Sequence, residues 1–451
     1  MFAKIIIASR GEVAVRIART CREMRIPTLA VFSTADRGAL HTRLADESVC
    51  IGPAKVEDSY LNAPAIISAG LSRGADGIHP GCGFLAENGD FAEACERSGL
   101  AFIGPRVRNI RLMGDRARAR RIMERAGVPV LPGSAAALSD LAEARDVVSA
   151  VGFPVTVKAA AGAGRRGAHV AADAEDLEAA FQAARAEGEA AFGNGLVHVE
   201  RHLEDARHVA VQVLGDRHRH VVHLGERECS IRWRNKRVLE EAPAPGLDGA
   251  LRDSLARAAV RAALAIGYTN LGTVEYVVDP QGNFYFTRMN ARIQAGHPLV
   301  EMLTGIDLVR QGIRSAAELP LEVCQEEIEP AGHAIGCRIR AEGRDEHQTS
   351  AVPVGTFHAP GGLGIRVETA IVGGGTVSLQ DDPIIAMVVA HGATREQAIA
   401  RMRGALDELV IEGIETNVAF HRRVLDDPEF LRGTVRARHL EQCEPPGRVA
   451  S

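Results

Sequence analysis

Lysine is almost missing from this chain. Only Lys4, Lys55, Lys158 and Lys236 occur among 53 basic residues, so arginine is the default cation and a retained lysine draws notice. Long apolar runs are missing too: none approaches the roughly 18 residues of a membrane span. The apolar stretch in MFAKIIIASRGE is too short for the core of a signal peptide and runs straight into charge. These absences lead us to expect a cytoplasmic protein with no membrane partner. The eight cysteines form no CxxC pair and show no spacing with histidine suited to zinc, so they read as reduced, mostly structural thiols. A net charge of −5 argues against nucleic acid as a partner. There is no GxxxxGK[ST] phosphate loop and no internal repeat.

The residues present fit a soluble globular protein, with 46% hydrophobic and 25% charged positions. A chain of 451 residues exceeds one ordinary core and points to about three domains. Within it, positions 216–238 hold seven basic residues against three acids, a local excess suited to a phosphate-bearing ligand.

The order of apolar runs suggests how these domains are built. KIIIA (4–8), a helical pattern over 12–25 and TLAVFS (28–33) alternate strand, helix, strand. The alternation continues through PAIISAGLSRG, ADGIHPGCGF and AFIGP, predicting a parallel α/β unit of about a hundred residues. Ligands of such units sit at the carboxyl ends of strands, where Ser9-Arg10-Gly11 and His79 to Phe84 fall. A helix from about Asp115 to Ala126 leads into GVPVLPGS, which reads as a linker. FPVTVK (153–158) then predicts a strand ending in the loop AAAGAGRRG, whose backbone N–H groups could wrap a polyphosphate beside Lys158. TVEYVVDPQGNFYFTRMN predicts a hairpin turning at Asp279 to Gly282. A smaller α+β segment is expected from about Gly332.

Several strings recur together: IIIASRGEVAVRIART, IHPGCGFLAENGDFAEACERSGLAFIGP, RLMGDRARA, AGVPVLPGS, LEEAPAPG, MNARIQAGHP and EGIETNVAF. In order and spacing they resemble the biotin carboxylase family of ATP-grasp proteins, from Met1 to about residue 441. The resemblance implies an α/β and α+β multidomain fold. Its parts would be a Rossmann-like domain at 1–114, an ATP-grasp domain at 115–325 with a lid at about 131–203, and a C-terminal biotin carboxylase domain at 331–441. It also implies a homodimer, with Arg19, Glu23 and Arg366 at the contact. In the family reaction bicarbonate attacks the γ-phosphate of MgATP to form carboxyphosphate. This breaks down to carbon dioxide, which carboxylates a ureido nitrogen of biotin held on a carrier protein.

The resemblance assigns roles by position. ATP would meet Arg116, Lys158, Gly164 and Arg165, then the adenine hinge Glu200, Arg201, His202 and Leu203, with His208 near the ribose and Asn235 near the adenine. Glu275 and Asn290 would be metal ligands, Arg237 and Arg292 would meet bicarbonate, Arg338 the biotin enolate, and Ala295 and Gly296 would line the same site. Some positions depart from the family's residue types. Arg288 stands at a glutamate metal-ligand position and Gly296 at that of the glutamate thought to deprotonate bicarbonate. Arg116 and Arg237 replace lysines, Arg232 a glutamine, Asn235 a histidine, Ala210 an acid, and Ala161, Ala163 and Arg165 lid glycines.

Two-residue alternation would place Phe284, Phe286, Arg288 and Asn290 on one strand face, with Arg288 against the metal. At an effective dielectric near 20, a unit charge about 4 Å away is worth roughly 4 kcal/mol. Magnesium or manganese is therefore expected to bind poorly, and loss of a positioned base to cost about 10²- to 10⁴-fold. The expectation is a pseudoenzyme-like paralogue with weak or absent catalysis. The alternative is an active biotin carboxylase subunit of an acetyl-CoA or acyl-CoA carboxylase, with carrier and carboxyltransferase on other chains. A third reading is an ATP-grasp ligase with a changed acceptor.

Overall fold

The structure is a computed structural model that describes residues 1–160, 168–233, 236–342, 351–378 and 383–434. Its first unit is a parallel five-stranded sheet in the order Glu47–Gly52, Thr28–Ser33, Ile5–Ile7, Gly77–His79, Ala101–Phe102. Helices cover both faces, and so III and the LAVF of TLAVFS are uninterrupted apolar runs, with every residue of both strands buried. Strand order reverses between Ile5–Ile7 and Gly77–His79, so the loops after these two strands form the crevice where such sheets bind ligands. They pack closely: a Cβ on Gly81, whose φ is +64°, would overlap the Ser9 side chain at its Oγ.

A second unit has its own core. The antiparallel strands Ala168–Ala171, Val155–Ala159 and Val197–Arg201 pack under the helices Leu141–Val151 and Ala174–Phe192 through Val155, Val157, Phe181 and Val199. GVPVLPGS is more than a linker. Val130 bridges Phe286, Gly133 bridges Glu200, and Phe286 N donates to Pro129 O at 2.7 Å, tying this unit to the next.

One antiparallel sheet of eight strands carries the rest, in the order 284–290, 270–278, 207–215, 221–228, 239–242, 333–340, 384–392, 365–369. The C-terminal segment is thus continuous with the preceding domain, because Leu239–Ala242 pairs with His333–Arg340. The hairpin 270–290 forms as predicted, but its faces differ from simple alternation. Register slips between Glu275 and Tyr276, leaving Thr287 as an extra residue. Phe286 therefore joins Met289 in the core, while Arg288 and Asn290 both reach the opposite side. Among the described residues no helix is long and apolar enough to cross a membrane.

Candidate active site

A cavity of about 620 Å³ lies between the crevice of the parallel sheet and the eight-stranded sheet. Six arginines line it: Arg10, Arg232, Arg237, Arg288, Arg292 and Arg338, with Ala295 and Gln294 beside them. The carboxylates that balance this charge sit mostly behind the wall.

Glu275 is the first of these. It is 6% exposed, and its Oε1 accepts from Asn290 Nδ2 at 2.7 Å, Arg237 Nη2 at 3.0 Å and Gln294 Nε2 at 3.2 Å. Arg288 Nε donates to Oε2 at 2.9 Å. Burial opposes ionisation, yet the charges of Arg237 and Arg288 hold the carboxyl well below its usual range. Among the described residues no three His, Cys, Asp or Glu side chains gather as a metal cluster. Glu275 with Asn290 fits a divalent ion that arrives with a nucleotide, since magnesium commonly takes one or two carboxylates and completes its shell with phosphate oxygens and water.

Glu240 is the second. It is fully buried; Arg338 Nη2 donates to its Oε1, and Arg227 Nε donates to Oε2 at 3.1 Å. Burial again opposes the charge, but Arg338, Arg237 and Arg227 pull the carboxyl down to about 2. Gln294 links the two acids, donating to Glu275 and accepting from Arg227 Nη2 at 2.9 Å. Gly296 adjoins this network: a Cβ there would lie 2.5 Å from Glu240 Oε2. Arg292 is anchored from the other sheet, donating Nε to Glu87 Oε2 at 2.8 Å, with its Nη1 3.0 Å from Cys82 Sγ. Neither Glu240, Glu87 nor Gln294 was picked out by sequence reasoning. The signal for Glu240 lay in LEEA, two acids inside a strand whose four residues are all buried.

The nucleotide-side residues form a neighbouring group. Lys158 Nζ donates to Glu200 on the adjoining strand. Arg116 feels both Glu200 and Arg288, and its own burial lowers its pKa. His202 lies 2.9 Å from Thr156 Oγ1, the Arg201 amide donates to Pro132 O at 2.8 Å, and His208 N donates to Ser230 Oγ at 2.7 Å. Leu203 follows in the half-buried turn beyond the strand. Gly164, Arg165 and Asn235 lie outside the described residues. The dimer candidates Arg19 and Arg366 both reach Glu368 within the chain, and Arg366 also pairs with Glu301 at 2.7 Å.

Residues 1–110 match the family described as biotin carboxylase, N-terminal domain. Residues 115–324 match the carbamoyl-phosphate synthase L chain ATP-binding domain, and 336–442 the biotin carboxylase C-terminal domain. The biotin carboxylase of Haemophilus influenzae is 47% identical over 98% of this chain and 99% of its own. Biotin carboxylase 1 of Bacillus subtilis is 45% identical over 99% and 100%. Among solved structures, the Campylobacter jejuni biotin carboxylase in complex with β,γ-ATP superposes with a TM-score of 0.94 at 41% identity, covering 98% of this chain and 99% of that one. The biotin carboxylase domain dimer of Hydrogenobacter thermophilus 2-oxoglutarate carboxylase, in complex with MgADP, ADP and bicarbonate, gives 0.92 at 41%, covering 98% of each.

These relatives overturn the expectation of weak or absent catalysis, because biotin carboxylases 41–47% identical over at least 98% of this chain include ones that hold nucleotide, magnesium and bicarbonate. The doubt over magnesium falls with it, as the Hydrogenobacter domain carries MgADP. The geometry supplies a physical reason. Arg288 is not an unbalanced cation, since Glu275 pairs with it. With matches to all three of its segments and close relatives of equal length, the chain belongs to the biotin carboxylase family of ATP-grasp proteins.

Proposed function

We propose that this chain is a working biotin carboxylase, using ATP and bicarbonate to carboxylate biotin borne on a separate carrier protein. The carboxyltransferase of an acetyl-CoA or acyl-CoA carboxylase would then take the carboxyl group. The observation that carries this reading is the convergence of Arg237, Arg292 and Arg338, from three separate elements, on one cavity backed by ionised carboxylates. Cations held there before substrate arrives stabilise anions without reorganising.

Arg292, braced by Glu87, is suited to bicarbonate, with Arg237 lining the same cavity. Arg338, braced by Glu240, is suited to the negative charge that develops on the ureido oxygen of biotin. At a pKa of about 2, Glu240 is a fixed anion that positions Arg338 and not a proton acceptor. Lys158 and Arg116 would hold the phosphates, the hinge from Glu200 to Leu203 the adenine, and His208 the ribose side. Gly164, Arg165 and Asn235 belong to the same nucleotide site by resemblance. Glu275 and Asn290 would hold a divalent ion whose charge offsets that of the phosphates. A homodimer through Arg19, Glu23 and Arg366 accords with the dimeric Hydrogenobacter domain.

The test is ATP cleavage by the purified protein with magnesium, bicarbonate and free biotin. Phosphate release that rises with biotin only when bicarbonate is present, with carboxybiotin formed in step, is expected. Absence of any biotin stimulation would sink the reading.

A further inference from the structure

Glu275 has two cationic partners of different character. Arg237 is 9% exposed and enclosed by the wall, whereas Arg288 is 43% exposed and reaches Glu275 from the cavity side. They also hold the carboxylate differently. Arg237, Asn290 and Gln294 hold Oε1 alone, whereas Arg288 spans both oxygens, Nε to Oε2 at 2.9 Å and Nη2 to Oε1 at 3.3 Å. Removing Arg288 would release Oε2 and leave Oε1 held by the other three. The hairpin register makes this pairing specific, since Glu275 lies directly opposite Arg288 and the extra residue at Thr287 turns Arg288 toward the site.

A guanidinium and a divalent ion on the same carboxylate compete, because their charges repel and a lone pair given to one is not open to the other. On the other side of Arg288 stands the phosphate-side group, with Arg116 within electrostatic reach and Glu200 close to both Arg116 and Lys158. A guanidinium released from Glu275 therefore has a second anionic station as soon as a phosphate chain lies there.

We propose that Arg288 is a tethered cation that competes with a divalent ion for Glu275 and turns onto the nucleotide phosphates when the ion arrives with them. The proposal rests on the nucleotide site assigned above and adds a coupling to it. Metal alone must compete with Arg288 for Glu275. Metal with nucleotide gives Arg288 somewhere to go, so each ligand strengthens the other. By linkage the gain is reciprocal.

Manganese binding to the full chain, followed by electron paramagnetic resonance with and without ADP, reads this coupling directly. Calorimetry of ADP in EDTA reads the phosphate contact. In the unmodified protein, ADP should tighten manganese binding by about tenfold or more. Arg288→Met keeps the length of the side chain and removes its charge. It should bind manganese alone about tenfold tighter, bind ADP in EDTA about tenfold more weakly, and show less coupling, whereas Arg288→Lys should fall between. If Arg288→Met does not fold, the unmodified protein still decides the matter: manganese bound as tightly without ADP as with it overturns the proposal. So does an Arg288→Met protein with unchanged affinities. Coupling without biotin-stimulated turnover would instead defeat the biotin carboxylase reading, and turnover without coupling would defeat this inference alone.

Discussion

Gly296 and Glu240 meet as a bare Cα and a buried carboxylate, with 2.5 Å between Glu240 Oε2 and the place a Cβ would take. The carboxylate cannot yield cheaply, because Arg338 and Arg227 hold it from two sides and it is fully buried. Gly296→Ala should therefore cost about 1–3 kcal/mol by overpacking and lower the unfolding temperature. Gly296→Glu, although it introduces the family's residue type, should cost more, since it presses a second carboxylate on the first. Calorimetric unfolding of the three proteins checks this. A Gly296→Glu protein as stable as its parent would contradict the geometry.

Glu87 offers a separate test of the Arg292 assignment. Its carboxylate accepts from Arg292 Nε at 2.8 Å and from the Ala291 backbone at 2.9 Å, so it fixes both the side chain and the chain that bears it. Glu87→Gln keeps the shape but turns a charge-assisted bond into a neutral one. A loss of roughly tenfold in kcat/KM for bicarbonate is expected. Because Glu87 acts through Arg292, the bicarbonate KM should rise more than kcat falls. An unchanged KM would show that Arg292 does not need this brace.

The fold was legible in the sequence to a large degree, and the reasons differ by element. Buried parallel strands such as III and TLAVFS announce themselves as short apolar runs, and DPQG marks the hairpin that carries Glu275, Arg288 and Asn290. The bulge at Thr287 was not legible, because no local residue type demands it and alternation put Phe286 on the wrong face. The error about catalysis had a similar origin. Arg288 taken one position at a time is an unbalanced cation, and its compensation lies across the sheet on Glu275. Such pairings arise only from register, which a single sequence does not display. Neither did the sequence reveal that one sheet joins the last two domains through Leu239–Ala242 and His333–Arg340.

Acid sensitivity should begin near neutrality and come from histidine. Burial lowers the pKa of His421 to about 4 and, with the nearby His297, that of His79 to about 3. The folded state thus binds fewer protons than the unfolded chain, whose histidines titrate at about 6.5. The stability this represents is full above about pH 6.5 and is lost as pH falls toward the folded values, by about 1.4 kcal/mol per pH unit for each group. Glu240, depressed to about 2, adds its own loss only below the ordinary glutamate range. Unfolding midpoints measured from pH 7 to 4.5 should fall steadily, and His421→Gln should flatten the slope. A pH-independent midpoint across that window would contradict the burial of these rings as neutral groups.

Arg227 and Glu240 provide the sharpest test of the buried network. Arg227 is fully buried and gives Nε to Glu240 at 3.1 Å, Nη1 to Gln212 at 3.2 Å and Nη2 to Gln294 at 2.9 Å. Arg227→Met removes all three donors, taking the Arg227 bond from Gln294 Oε1 and leaving Gln212 Oε1 with the Thr273 hydroxyl at 3.4 Å. Glu240→Gln leaves Arg227 buried against a neutral group. Each change alone should cost about 3–5 kcal/mol, the usual penalty for stranding one member of a buried ion pair. The double mutant should cost less than the sum, by about 0.5–3 kcal/mol, because the second change removes the charge that the first left uncompensated. Urea midpoints of the four proteins give the cycle. Activity should separate the two partners further: Glu240→Gln also releases Arg338, which lines the cavity, so it should lose more turnover than Arg227→Met at equal loss of stability. Strict additivity in the cycle would mean that Arg227 and Glu240 act independently, and equal turnover in the two single mutants would mean that Arg338 is not positioned by Glu240.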